Sequence, residues 1–121
     1  MNPLLQKEFT AGGTILPSRI VKHGATDYEV VQASANSDLL IGVAELVYGR
    51  TQTNIGEGVT VLMAGTGQVE YGGTVTRGQR LTSDADGRAV PITTASQVCV
   101  GVALNSGTVG TFGEILISLG E

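Results

Sequence analysis

The chain has few side chains able to do chemistry near neutral pH, and their spacing limits what that chemistry could be. Its single histidine, His23, sits beside Gly24 in a stretch of Gly, Ala, Thr and Asp. A nucleophilic triad needs a histidine close to a Ser or Cys and an orienting acid. No Gly-x-Ser-x-Gly elbow is present, so His23 reads as an exposed turn residue. Asp84-Ala85-Asp86-Gly87 opens like a calcium loop. Such a loop requires a Glu at its twelfth position and helices on either side. Here that position is Ala95 and the flanks read as strands, so the segment reads as a tight turn. Gly56-Glu57-Gly58 and Gly65-Thr66-Gly67 lack the Lys-Ser/Thr of a phosphate loop and read as strand connections. Cys99 lies between Val98 and Val100 with no cation beside it, the setting of a buried small hydrophobe, not a reactive thiolate. Arg19 and Arg80 precede strands that read as equivalent, where they could pair with a neighbouring subunit or a partner surface. These residues give no catalytic constellation, no metal-ligand set and no cofactor site.

The rest of the composition agrees with a non-enzymatic role. The formal net charge is −4 and the seven basic residues are scattered, so no basic stripe is available to neutralise nucleic-acid phosphates. The longest apolar runs fall short of a membrane span. The N-terminus lacks the basic and apolar regions of a signal peptide, and one cysteine excludes an internal disulfide, so synthesis in the cytoplasm of the producing cell is expected. Trp is absent and aromatics are 4% of 121 residues, which leaves Val, Ile, Leu and Ala to build the core. A core so poor in large side chains favours further burial in an oligomer.

The elements that must carry these residues repeat. Gly12-Gly13-Thr14-Ile15 recurs as Gly72-Gly73-Thr74-Val75, and Arg19-Ile20-Val21 as Arg80-Leu81-Thr82. Ile41-Gly42-Val43-Ala44 recurs as Val100-Gly101-Val102-Ala103, and Gly56-Glu57 before an apolar run recurs as Gly113-Glu114. The order is the same each time, as an internal duplication requires. The half-repeats run over about 12–64 and 72–119. Within each, a hairpin is expected: 19–32 around a turn at 23–28, and 80–90 around a turn at 83–87. Continuous apolar runs at 39–43 and 98–104 predict buried strands, each interrupted by a glycine (Gly42, Gly101) where another backbone approaches or the strand bends. Residues 59–64 and 114–119 are the closing strands, and no segment has sustained helical periodicity. The fold class is therefore all-β: a small compact β-barrel or sandwich built from two duplicated halves, residues 12–121 forming one domain. Residues 1–11 read as an N-terminal arm outside the repeat, with Leu4, Leu5 and Phe9 as its apolar anchors and Pro3 setting an extended entry. The competing reading is a strand that completes the domain's own sheet.

This assembly of motifs resembles the capsid decoration, or cement, proteins of tailed bacteriophages. The likeness rests on the N-terminal Asn2-Pro3-Leu4-Leu5 with Phe9 soon after, on residues 17–22, 30–33 and 41–44, and on 69–78, 81–90 and 101–103. It covers nearly the whole chain, through the order of the motifs and not any single one. The resemblance implies a structural protein on the exterior of an assembled phage head, with the major capsid protein as partner and a homotrimer as its state. It implies no catalytic residues, cofactor, nucleic acid, membrane or small-molecule substrate. Partner-binding residues expected on this reading are Pro3, Leu4, Leu5, Phe9 and Arg19. A rival is a carbohydrate- or receptor-binding β-module of a virion, which needs exposed aromatics that stack on sugars, and only Tyr28, Tyr48 and Tyr71 are available. A small hydrolase on a β-barrel is the other, disfavoured by the lone turn histidine.

Overall fold

A computed structural model describes residues 3–45 and 51–118, with the side chain of Pro3 excepted. Tyr48 and Leu119, which entered the sequence reading, lie outside them. The described residues form nine strands and no helix.

The first five strands close on themselves. These are β1 (Pro3–Ala11), β2 (Ile20–His23), β3 (Glu29–Gln32), β4 (Leu40–Ala44) and the N-terminal part of β5 (Gly58–Glu70). Their order is β1-β3-β2-β4-β5, and β5 returns to pair with β1. The result is a small five-stranded barrel. Inside it lie Ala11, Ile15, Val21, Val30, Ile41, Ala44, Val59 and Val61, side chains whose β-branched and small character suits a narrow, fully filled interior.

Strand β5 is long enough to leave this barrel and begin a second half. Gly65 has φ +89°, a backbone state that most residues avoid, and it marks the handover. Pro3 of β1 pairs with Gly65 at the end of one ladder, and Ile117 pairs with Gly65 at the start of the next. Beyond it the sheet continues through β9 (Phe112–Ile117), β8 (Gly101–Ala103), β6 (Arg80–Ser83) and β7 (Ala89–Pro91). Gly65-Thr66-Gly67, expected as a connection, is thus the middle of the longest strand. Alternating Gly65, Gly67 and Val69 towards the interior keeps the ladder continuous where side chains of both halves crowd.

The two halves are wired in the same order. Val21 faces Gly42 as Leu81 faces Gly101. Ala11 meets Val30 in parallel as Tyr71 meets Ala89. Ile15 and Thr53 bridge as Val75 and Gly107 do. The amide of Ser18 donates to Ala44 and that of Gly78 to Ala103. By these matches Arg19 corresponds to Gln79, and Arg80 to Ile20, one residue away from the alignment read in the sequence. Gly42 and Gly101 sit at matched points, and a Cβ on either would run into a carbonyl oxygen, of Leu62 and Leu116 respectively.

One exchange of volume distinguishes the halves. Tyr71 stands where the first half has Ala11, and it is fully buried. Its ring takes space that Gly113 leaves in the position of Val59, and Gly107 in the position of Thr53. A Cβ on Gly113 would overlap the phenol ring, and one on Gly107 would lie 2.6 Å from Tyr71 Cδ2. The hydroxyl donates to the Asn105 carbonyl at 2.9 Å, so the buried polar end is satisfied. Burial pushes the phenol's pKa above its ordinary value.

Residues 3–11, expected as an arm standing apart, are instead a full barrel strand. β1 holds an antiparallel register with β5 from Pro3 to Thr10 and meets β3 at Thr10 and Ala11. The reason lies in pairing: without β1, the edges of β3 and β5 would be left open and the barrel interior uncovered. The competing edge-strand reading describes this segment better.

Candidate functional site

Among the described residues no group of His, Cys, Asp and Glu is placed to hold a metal ion, and the informative surfaces are apolar groups left in solvent. The first lies on β1. Leu4 is 84% exposed and Leu5 53%, beside a register irregularity between Pro3 and Gln6 that bends the strand end. Phe9 is half-buried and packs on the interior cluster of the first barrel. The structure therefore separates the expected anchors: Leu4 and Leu5 face solvent, while Phe9 is partly committed to its own core.

Arg19 is placed inward. Its guanidinium donates to the Asp86 carbonyl at 2.7 Å and to Glu70 Oε1 at 3.2 Å, with only 13% of the side chain exposed. Gln32 Nε2 donates to the same Asp86 carbonyl at 2.9 Å. Glu70 also lies 3.8 Å from Arg88, which pairs with Asp84 and Asp86. Arg19 thus ties the turn of the second half to the first half. The turn that resembled a calcium loop is closed by its own side chain, Asp84 Oδ1 accepting from the amides of Asp86 and Arg88 at 2.9 Å.

A second surface is the open end of the first barrel, a cavity of about 750 Å³. Phe9, Ile41 and Met63 form its floor, with Lys7, His23 and Tyr28 on its rim. Tyr28 is exposed and holds φ +59°, a strained state for an aromatic residue. The Lys7 ammonium lies 5.3 Å from its ring centre. The third surface is the outer side of β8 and β9, where Leu104, Phe112 and Leu116 are exposed. Leu104, Phe112 and Leu116 were not picked out from the sequence as surface residues. The alternation Phe112, Glu114, Leu116 in β9 was the signal available, since residues two apart share a face. Of the tyrosines proposed as sugar platforms, Tyr71 is buried and Tyr28 exposed.

Comparison with known proteins then places the fold. No curated protein matches the sequence. Among solved structures, the N base of head fiber gp8.5 of bacteriophage phi29 is similar, at 24% identity over 94% of this chain and 93% of that one, with a TM-score of 0.73. Residues 5–117 match the family described as phage cement protein. The chain belongs to the phage cement protein family and is a structural phage protein.

Proposed function

We propose that this protein decorates the exterior of a phage head, binding the major capsid protein and stabilising the shell, as a homotrimer. The observation that carries the reading, beyond the family, is the pair Leu4 and Leu5, left in solvent on a strand that is otherwise locked into the barrel. Burying a large aliphatic side chain on a partner contributes about 1.5–3 kcal/mol, and a rigid strand loses little entropy in doing so. The capsid-binding set is then Leu4 and Leu5, with Pro3 at the strand's entry; Phe9 is partly committed to the barrel's own core and Arg19 is occupied within the chain. On this reading the protein is made in the host cytoplasm and ends in the virion, and the similar wiring of the two halves reflects duplication of one barrel.

The test is co-sedimentation of purified protein with decoration-free heads of the phage that encodes it. Wild type should pellet with the heads. Leu4→Asp with Leu5→Asp should remain in the supernatant while keeping the wild-type circular dichroism spectrum and melting temperature. Undiminished pelleting of this variant would remove β1 from the capsid interface, and absence of wild-type binding would remove the decoration reading itself.

A further inference from the structure

Set against each other residue by residue, the two halves differ in a complementary way. The outer side of the first barrel presents Ile20, Ala33, Val43 and Leu62, all buried. They are covered because they close the end of the second half, joining one apolar cluster with Val69, Val100 and Ile117. The contact is visible in atoms: the Ile20 amide donates to the Gly87 carbonyl at 2.7 Å. A Cβ on Gly87 would stand 3.2 Å from the carbonyl oxygens of both Ile20 and Ala33, and one on Gly67 would lie 3.0 Å from Leu62 Cδ1 and 3.1 Å from Ile117 Cδ1.

The ladders give the counterparts. Ile20 pairs with Val43 as Arg80 pairs with Val102. Gln6 pairs with Leu62 as Thr66 pairs with Leu116, and Ala33 donates to Ile20 as Ile92 donates to Arg80. So the second half carries the same outer face as Arg80, Ile92, Val102 and Leu116. There Arg80 and Leu116 are exposed and Ile92 and Val102 half-exposed. At the barrel ends the pattern is reversed. Val69, Ser83, Gly87 and Ile117 are buried in the second half, and their counterparts in the first, Phe9, His23, Tyr28 and Met63, line the open cavity.

We propose that the open end of the first barrel receives the outer face of the second half of another copy of this chain. The contact repeats between chains the joint already made within one. It is heterologous, each copy offering one end and one face, and such contacts close into a ring when the rotation allows. It deepens the homo-oligomer reading above and rests on it. Charge fits as well as shape: Arg80 on the face approaches the rim that carries exposed Asp27, an ion pair beside the Tyr28 ring that Lys7 already covers. The two joints are not atom-for-atom copies. The first hairpin is one residue longer, and Tyr28 replaces Gly87, so its side chain flanks the incoming face instead of lying beneath it.

Two single-cysteine additions test this. Chains bearing Met63→Cys and chains bearing Leu116→Cys, mixed and mildly oxidised, should give a disulfide dimer between unlike chains, with neither chain linking to itself at comparable yield. The native Cys99 is buried. In parallel, light scattering should show Leu116→Asp and Asp27→Arg each shifting the assembly to monomer, by about tenfold or more in dissociation constant (roughly 1.4 kcal/mol). Asp27→Arg with Arg80→Asp in one chain should restore it. Thermal melts of the variants, monitored by circular dichroism, check that each is folded. If the wild-type chain assembles and these variants assemble equally, the proposed interface is wrong while the homo-oligomer stands. A wild-type chain that stays monomeric and uncrosslinked, in solution and on heads, overturns both. Variants that keep their assembly but lose head binding would show that the capsid, not a second copy, covers these surfaces, and would also overturn the proposal.

Discussion

The exchange between Ala11 with Val59 and Tyr71 with Gly113 gives a sharp test of how the second half is packed. Gly113→Val puts a branched side chain into the volume of the Tyr71 ring, where even a Cβ overlaps it. Overpacking of this kind costs about 1–3 kcal/mol and more where the neighbour cannot move. Tyr71 cannot: it is fully buried and its hydroxyl is held by Asn105. We expect a loss of roughly 3 kcal/mol. Tyr71→Ala removes the ring and should cost about 3–5 kcal/mol, the range for large aromatic deletions. The double variant rebuilds the first half's arrangement in the second. Valine then fills part of the space the ring vacates and regains about 1.5–3 kcal/mol relative to Tyr71→Ala alone. The two substitutions should therefore couple with opposite sign to their separate effects, far outside the additive limit of about 0.5 kcal/mol for independent sites. Urea unfolding of the four proteins at one fixed concentration, followed by circular dichroism, measures the cycle. If Gly113→Val destabilises the Tyr71→Ala background as much as it does the wild type, the ring and the glycine are not trading volume and the account of this core is wrong.

Other consequences can be checked with the same equipment. Gly42→Ala and Gly101→Ala each drive a Cβ into a strand carbonyl, so each should lower stability by about 2 kcal/mol or more; a neutral outcome at either would mean that the strands can move apart there. Arg19→Met removes charge-assisted hydrogen bonds to Glu70 and Asp86 and should cost about 1.5–3 kcal/mol, read as a shift of the urea midpoint. Tyr71 is held neutral by burial, with its folded pKa raised. Its contribution is complete below the ordinary phenol range and is lost as pH rises through the folded value, so the melting temperature should fall in alkali, and less steeply in Tyr71→Phe. Asp38 has the opposite sense. Burial pushes its carboxyl up, but the Ser34 amide, Lys22 and the Ala35 amide outweigh that and leave the pKa lowered. Its contribution is present above the ordinary carboxylate range and lost as pH falls through the folded value, and Asp38→Asn should flatten that acid limb.

Most of the short strands were legible because the pattern that encodes them is local. Hairpin turns, apolar runs and matched glycines each carry their signal within a few residues, and the matched positions of Gly42 and Gly101 follow from it. What escaped was set by partners distant in sequence. Nothing in Pro3 to Thr10 announces that β5 supplies its ladder, so an apolar segment outside the repeat read as an arm. Gly65-Thr66-Gly67 read as a break because a strand shared by two halves needs glycine where their side chains crowd. Arg19 and Arg80 look equivalent as letters, yet in the ladders the counterpart of Arg19 is Gln79. That single-residue slip sends one guanidinium into the joint between the halves and leaves Arg80 in solvent. The surface residues Leu104, Phe112 and Leu116 were hidden for a related reason: exposure in a small barrel depends on which neighbouring half covers which face.

The most direct measurement of the proposed decoration role is cryo-electron microscopy of the phage particle that encodes this chain. Density for the barrel and its second half is expected on the outer surface of the mature shell, with the Leu4 and Leu5 end of β1 against the major capsid protein. A complete head that carries no such density, or this protein located inside the shell or in the tail, would contradict that role.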